Sequence, residues 1–207
     1  MDKSIYGVIL AGGQGTRMGN IDKPKQFLEV GGKPVIIHTV EKFIVNPNFT
    51  QIIVLAPKQW LAYTKDIIHR YIPDQNKTVV IEGGSTRNET IMNSIRYIEE
   101  QGKLTDDTII VTHDSVRPFV TYRIIEENIR YAQKCGACDT VIPASDTIVE
   151  SIGGEFISNI PDRKIMYQGQ TPQSFKAKKL RKVYESLTPE EKEILTEACK
   201  IYVLKKE

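Results

Sequence analysis

The stretch Val8–Phe27 reads "VILAGGQGTRMGNIDKPKQF". A short apolar run ends on the adjacent glycines Gly12 and Gly13. Gly15, Arg17, Gly19 and then Lys23 and Lys25 follow. Stripping side chains from a turn lets backbone N–H groups approach an anion closely, and the cations supply opposing charge. Two familiar phosphate loops fail on spacing. A Walker loop needs G-x-x-x-x-G-K-[ST], which Gly13 to Asn20 does not supply. A dinucleotide fingerprint needs G-x-G-x-x-G, and Met18 stands where the third glycine belongs. What remains is a glycine-rich turn after a first strand. Its Arg17 is suited to a two-pronged grip on phosphate and its Lys25 to a mobile point charge.

Outward from this turn, strand-like and helical runs alternate. Ile5–Leu10, Gln51–Ala56, Thr78–Glu82 and Thr108–Thr112 are short and rich in Ile and Val. Pro34 opens a helix with Ile36, Val40 and Phe43 on one face. Thr86 and Glu89 form a capping box for a second helix, with Ile91, Ile95 and Ile98 along one side and Gly102 past its end. Thr121 caps a third, which ends near Gly136. The alternation predicts an α/β fold, a mostly parallel sheet flanked by helices. Ligands of such sheets sit beyond the carboxyl ends of the strands. That rule brings three loops together: Ala11–Arg17, Gly83–Glu89 and His113–Pro118.

One segment departs from the pattern. In "DTIVESIGGEFISNI" (Asp146–Ile160), two β-like runs flank Gly153-Gly154, which predicts a β-hairpin. A two-stranded ribbon is marginal alone. It is therefore expected to project as an arm, within an insertion at about 144–170 of a single 1–207 domain, and to pack on a second subunit. A plain surface hairpin is the alternative. Two amphipathic helices are expected after it, the second starting at Thr188-Pro189 with Glu191 completing a capping box. The final "IYVL" reads as strand-like.

Composition narrows the classes. The 207 residues carry a net charge of +2, with 40% hydrophobic and 26% charged residues. An anion site must then be local, and nothing global argues for nucleic acid or a membrane surface. Lys3 before an apolar run resembles a signal peptide, but glycines and basic residues interrupt it at once, so a buried first strand fits better. No apolar run approaches the roughly 20 residues of a membrane span. "CGAC" at Cys135–Cys138 has C-x-x-C spacing, which raises zinc and redox chemistry. No second pair completes a zinc site, and reduced, structural cysteines in a cytoplasmic protein are expected.

Two further loops carry chemistry. In "GGSTRNET" (Gly83–Thr90), small hydroxyl and amide side chains are suited to reading a base edge or a ribose. In "THDSVRPF" (Thr112–Phe119), Asp114 ends an apolar strand, where a lone carboxylate commonly holds Mg²⁺. A helix-capping aspartate is its other reading, and His113 reads as a strand-end histidine without a catalytic role. The three histidines are scattered and form no Ser–His–Asp set. A glycine-rich loop, Arg17, Lys25 and one carboxylate describe a nucleoside triphosphate plus metal. Phosphoryl or nucleotidyl transfer needs only positioning and charge stabilisation.

Four motifs in order, "LAGGQGTRMG…KPKQFLEVGGKPVIIHTVEKF", "GGSTRNETI", "HDSVRPF" and "QGQTPQSF", resemble the cytidylyltransferases that make CDP-activated polyols. That family includes methylerythritol phosphate and ribitol-5-phosphate enzymes. "HDSVRPF", "MYQGQTPQSF" and "LTEACKI" are more similar to the ribitol branch, because methylerythritol enzymes usually show "DAARP" and a tryptophan before the TPQ motif. The resemblance implies a Rossmann-like nucleotidyltransferase fold whose β-arm interlocks in a homodimer. It also implies CMP transfer from CTP to D-ribitol 5-phosphate for teichoic acid or capsule synthesis. Methylerythritol phosphate as acceptor and a non-catalytic nucleotide-binding module are the alternatives.

By the same resemblance, Leu10, Ala11, Gly12 and Gly13 hold the CTP base and phosphates. Gly83, Gly84, Ser85, Thr86, Arg87, Asn88, Glu89 and Thr90 surround cytosine and ribose. Ser115 contacts the nucleotide and Asp114 binds Mg²⁺. Arg17 and Lys25 stabilise the transition state. Arg163 positions the polyol phosphate, Thr147 and Arg163 reach the neighbour's site, and Thr196 lies near that phosphate. Ser85 stands where many methylerythritol enzymes carry an acid. The family continues past Glu207 with a lysine-bearing strand and a helix, so the C-terminal part is expected to be missing.

Overall fold

A computed structural model of the chain describes residues 4–13, 23–74 and 76–205. β1 (Ile5–Leu10) is the central strand and is buried along its whole length. The minor hairpin β2 (Glu29–Val30) and β3 (Lys33–Pro34) follows, then α1 (Val35–Ile44), β4 (Gln51–Ala56), α2 (Leu61–Tyr71) and β5 (Thr78–Glu82). Next come α3 (Arg87–Glu100), β6 (Ile109–Asp114), α4 (Tyr122–Cys135), β7 (Ala137–Pro143) and β8 (Tyr167–Lys176). The helices α5 (Ala177–Glu185), α6 (Pro189–Glu193) and α7 (Cys199–Lys205) finish the described chain.

The main sheet has the order β5-β4-β1-β6-β8-β7. β5, β4, β1 and β6 are mutually parallel, and β8 runs antiparallel to both β6 and β7. The mostly parallel, helix-flanked sheet read from the alternation is the one observed. Each strand alternates its apolar side chains between two faces. Ile9, Ile52, Val54 and Val111 pack with Ile36, Val40 and Phe43 of α1, Ile67 and Ile68 of α2, and Ile125 and Ile129 of α4. Val8, Leu10, Ile53, Leu55 and Ile110 meet Ile91, Ile95 and Ile98 of α3, Leu180 of α5 and Ile201 of α7. Gly136 caps α4 at φ +89°, in the left-handed region. No helix among the described residues is long and apolar enough to cross a membrane.

Two expectations need correction, and two strands were not foreseen. The arm 146–160 forms no continuous ladder; a single isolated bridge, Glu150 with Asn159, joins its limbs. Its turn is closed locally instead, where Ser151 Oγ donates to the Phe156 carbonyl at 2.7 Å and accepts from Gly154 N at 3.1 Å. With Ile152 and Phe156 exposed, no apolar packing reinforces a ribbon. The "IYVL" run is helical, because Ile201 and Tyr202 bury one side of α7 against Phe175 and α5. β7 and β8 lie in "ACDTVIP" and "YQGQTPQSFK", whose polar content hides them. Their strand form comes from pairing with each other and with β6.

Candidate active site

The loops after β1, β5 and β6 converge on a cavity of about 320 Å³. Gly12 and Gly13 of the first loop, Gly84, Ser85, Thr86 and Arg87 of the second, and Asp114, Ser115 and Val116 of the third line it. Lys25, Gln26, Leu10 and Thr90 complete the wall.

Each loop is held by bonds its own sequence supplies. Ala11 N donates to the Leu55 carbonyl at 2.9 Å, and the Ala11 carbonyl accepts from Gln26 Nε2 at 2.8 Å. Gln26 is buried by this bond, which ties the short 3₁₀ turn Lys25–Phe27 to the end of β1. Phe27 anchors the same turn between Trp60 and Tyr63, with ring centroids at 5.2 and 5.1 Å. Lys25 is thereby carried to the cavity on a fixed support.

In the second loop, Gly83 N donates to the Ala56 carbonyl, and Gly84 N donates to Thr90 Oγ1 at 3.0 Å. The capping box is formed: Glu89 N donates to Thr86 Oγ1, and Thr86 N donates to the Glu89 carboxylate. Ser85 Oγ and Ser85 N donate to the same carboxylate. These bonds, the Ser85 hydroxyl first, hold the Glu89 carboxyl below its ordinary range. A Cβ on Gly84 would collide with Glu89 Cβ and stand 2.8 Å from the Glu89 carbonyl carbon. Only glycine lets the loop press against the first turn of α3.

In the third loop, Ser115 N donates to the Leu10 carbonyl at 3.1 Å, and Thr39 Oγ1 donates to the Ser115 carbonyl at 2.8 Å. Asp114 lies between two guanidiniums. Arg87 Nη1 is 2.5 Å from Oδ1, and Arg117 Nε is 2.9 Å from Oδ2. Burial alone would raise the Asp114 carboxyl; the Arg87 and Arg117 charges outweigh it and hold the group below the usual carboxylate value. Arg117 Nη1 also donates to Gln170 Oε1 at 2.8 Å, and Arg87 Nε lies 3.2 Å from Glu197 Oε2. His113 is buried, with its Nε2 3.0 Å from the Arg117 carbonyl and no partner for Nδ1. Burial pushes its pKa down to about 4. It stays neutral near pH 7 and donates to that carbonyl, a structural arrangement.

Of the residues singled out from sequence, Leu10, Gly12, Gly13, Lys25, Gly84, Ser85, Thr86, Arg87, Thr90, Asp114 and Ser115 all border the cavity. Ala11 and Gly83 instead hold strand-end hydrogen bonds. Glu89 is spent on the cap, and Asn88 turns its amide toward the Leu195 carbonyl at 3.5 Å. Thr147, Arg163 and Thr196 are exposed and lie outside the cavity lining. Arg163 Nη1 donates to the Ser145 carbonyl at the base of the arm. Arg17 lies outside the described residues. Sequence reasoning missed Gln26, Arg117 and Glu197, although "KPKQF" and "HDSVRPF" place the first two beside the residues it chose.

A divalent cation fits the donor set. Asp114 is the acidic residue of the lining, and Mg²⁺ is commonly held by one or two carboxylates plus substrate phosphates. Each Asp114 oxygen receives one guanidinium contact, leaving lone pairs for a hard cation. Among the described residues no group of three or more His, Cys, Asp or Glu gathers to hold a metal. Cys135, Cys138 and Cys199 are free thiols, and burial raises the last two.

Solved structures share the fold. The chain superposes on 4-diphosphocytidyl-2C-methyl-D-erythritol synthase from Anaerococcus prevotii with a TM-score of 0.77 at 24% identity, covering 100% of this chain and 84% of that one. For 2-C-methyl-D-erythritol 4-phosphate cytidylyltransferase of Francisella tularensis the TM-score is 0.79 at 24% identity, with 98% and 87% covered. For the enzyme of that name from Thermus thermophilus it is 0.69 at 23% identity, with 100% and 85% covered. The family profile described as IspD, 2-C-methyl-D-erythritol 4-phosphate cytidylyltransferase, matches residues 5–203. With its cavity loops lying inside that match, the chain belongs to the IspD family of cytidylyltransferases.

Proposed function

We propose that this cytidylyltransferase transfers CMP from CTP to D-ribitol 5-phosphate, releasing pyrophosphate and forming CDP-ribitol. The observation that carries the reading is one cavity combining the Gly12-Gly13 turn, Lys25 and Asp114. Support for ribitol over methylerythritol comes from the residues that separate the branches. Ser115 and Val116 border the cavity. Arg117 of "HDSVRPF" bonds Gln170 of "YQGQTPQ". The Arg117–Gln170 bond joins the two motifs next to Asp114, which Arg117 also contacts.

In this reading the Gly12-Gly13 turn with Leu10 and Ala11 holds the base and phosphates of CTP, and the loop 83–90 surrounds cytosine and ribose. A phosphate oxygen of the acceptor attacks the α-phosphorus in line. The bond to the bridging oxygen breaks, and pyrophosphate leaves with that electron pair. Lys25, with Arg17, offsets charge on the α-phosphoryl and leaving oxygens. Asp114 would hold Mg²⁺, which supplies further charge neutralisation across the phosphates. The exposed apolar arm, with Ile152 97% and Phe156 81% accessible, supports docking on a second copy of this chain. That contact would carry Thr147 and Arg163 to a neighbouring site.

The descriptions of the family profile and of the solved relatives favour methylerythritol 4-phosphate as acceptor. Pyrophosphate release from CTP and Mg²⁺ with each acceptor in turn separates the readings. Release with ribitol 5-phosphate is expected. Release with methylerythritol 4-phosphate alone would establish the second reading, and CTP binding without release would favour a regulatory module.

A further inference from the structure

Arg87 and Arg117 each have two partners, and Asp114 is common to both. Arg87 contacts Asp114 Oδ1 at 2.5 Å and Glu197 Oε2 at 3.2 Å. Arg117 contacts Asp114 Oδ2 at 2.9 Å and Gln170 Oε1 at 2.8 Å. In these direct contacts two positive groups meet two negative ones, and the Asp139 carboxylate lies within electrostatic reach of Arg87. A dication arriving at Asp114 upsets that pairing, because it meets two guanidiniums already on the carboxylate. Each guanidinium needs another acceptor within reach. Arg117 has the neutral Gln170. Arg87 has Glu197, from the segment between α6 and α7. Arg87 Nε and Nη2 are buried and make no hydrogen bond, so the present Glu197 contact is an ion pair with donors to spare. A buried guanidinium with unused donors gains from a closer carboxylate.

We propose that Glu197 is a positioning residue that takes over Arg87 when Asp114 accepts a divalent cation, so that the C-terminal segment sets the affinity of the nucleotide site for metal. The inference rests on the reading of Asp114 as the metal-holding carboxylate. Glu197 touches neither nucleotide nor metal. It acts by keeping Arg87 from competing for the Asp114 oxygens. The exchange moves no covalent bond and consumes no proton. Glu197 is half exposed in the described state, which leaves its carboxylate free to approach Arg87.

The test uses Mn²⁺ as the probe, with saturating CTP and no acceptor, and reads the loss of the free Mn²⁺ signal by electron paramagnetic resonance. Glu197→Gln is expected to weaken Mn²⁺ binding about tenfold and Glu197→Asp less, while CTP binding in EDTA is not weakened. In an Arg87→Gln background the further change Glu197→Gln is expected to have no effect, since the competitor is gone; this coupling separates positioning from a general loss of structure. Unchanged Mn²⁺ affinity in Glu197→Gln, or a tenfold loss that persists without Arg87, overturns the proposal. Should Glu197→Gln fail to fold, Glu197→Asp with and without Arg87→Gln carries the same comparison. Wild-type protein that binds CTP but no Mn²⁺ would overturn the metal reading of Asp114 itself.

Discussion

Lys25 is a cation on a rigid support: Gln26 is bonded to Ala11 on one side and Phe27 is wedged between Trp60 and Tyr63 on the other. Such pre-aimed charge lowers a barrier without reorganising. Lys25→Ala is therefore expected to lower kcat by about 10²–10³ with little change in KM for CTP, as removal of one pre-aimed donor does. Steady-state kinetics check this, and a large KM effect with normal kcat would reassign Lys25 to ground-state binding. His113 offers a separate test at the same scale. Its pKa falls to about 4 from 6.5 in the folded protein, so the unfolded chain binds the extra proton between those values. Stability should rise with pH across that window. Fully crossing it downward costs about 3 kcal/mol from this group. Urea unfolding in EDTA at each pH should show a shallower slope for His113→Gln than for wild type. Placement at the cavity was legible where a local motif carries it, as with Lys25 and Asp114. The Arg87–Glu197 pair joins segments far apart in the chain, so only the fold reveals it.

At the scale of elements, the glycines of the two cavity loops do different jobs. A Cβ on Gly84 collides with Glu89 and with Thr90 N at 2.9 Å, whereas one on Gly12 meets nothing within 4 Å among the described residues. Gly84→Ala should destabilise the protein by roughly 1–3 kcal/mol, the usual range for overpacking, and weaken CTP as well. Gly12→Ala should leave the melting temperature near wild type and weaken CTP alone. Thermal melts paired with CTP titrations distinguish the two. The strands β1, β4, β5 and β6 were readable because buried parallel strands are nearly continuous in Ile and Val. β7 and β8 were not, because their half-exposed, polar sequences become strands only through their neighbours. Capping boxes at Thr86 and Thr188 were readable, since both partners sit within one turn. "IYVL" misled because β-branched and aromatic residues suit either element until burial chooses one.

For the whole molecule, the arm between β7 and β8 leaves Ile152, Phe156, Ile157, Ile160 and Ile165 exposed. A second copy covering this surface should give twice the chain mass in light scattering. The double change Ile152→Asp and Phe156→Asp should shift the protein toward monomer and lower activity while the CTP cavity stays intact. A wild-type monomer with full activity would contradict that arrangement. The central claim is chemical. It is tested most directly by offering CTP and Mg²⁺ with equal amounts of D-ribitol 5-phosphate and 2-C-methyl-D-erythritol 4-phosphate in one reaction, then identifying the nucleotide product by mass. CDP-ribitol in clear excess is expected. A product carrying methylerythritol, or no CDP-linked product while CTP remains bound, would contradict it.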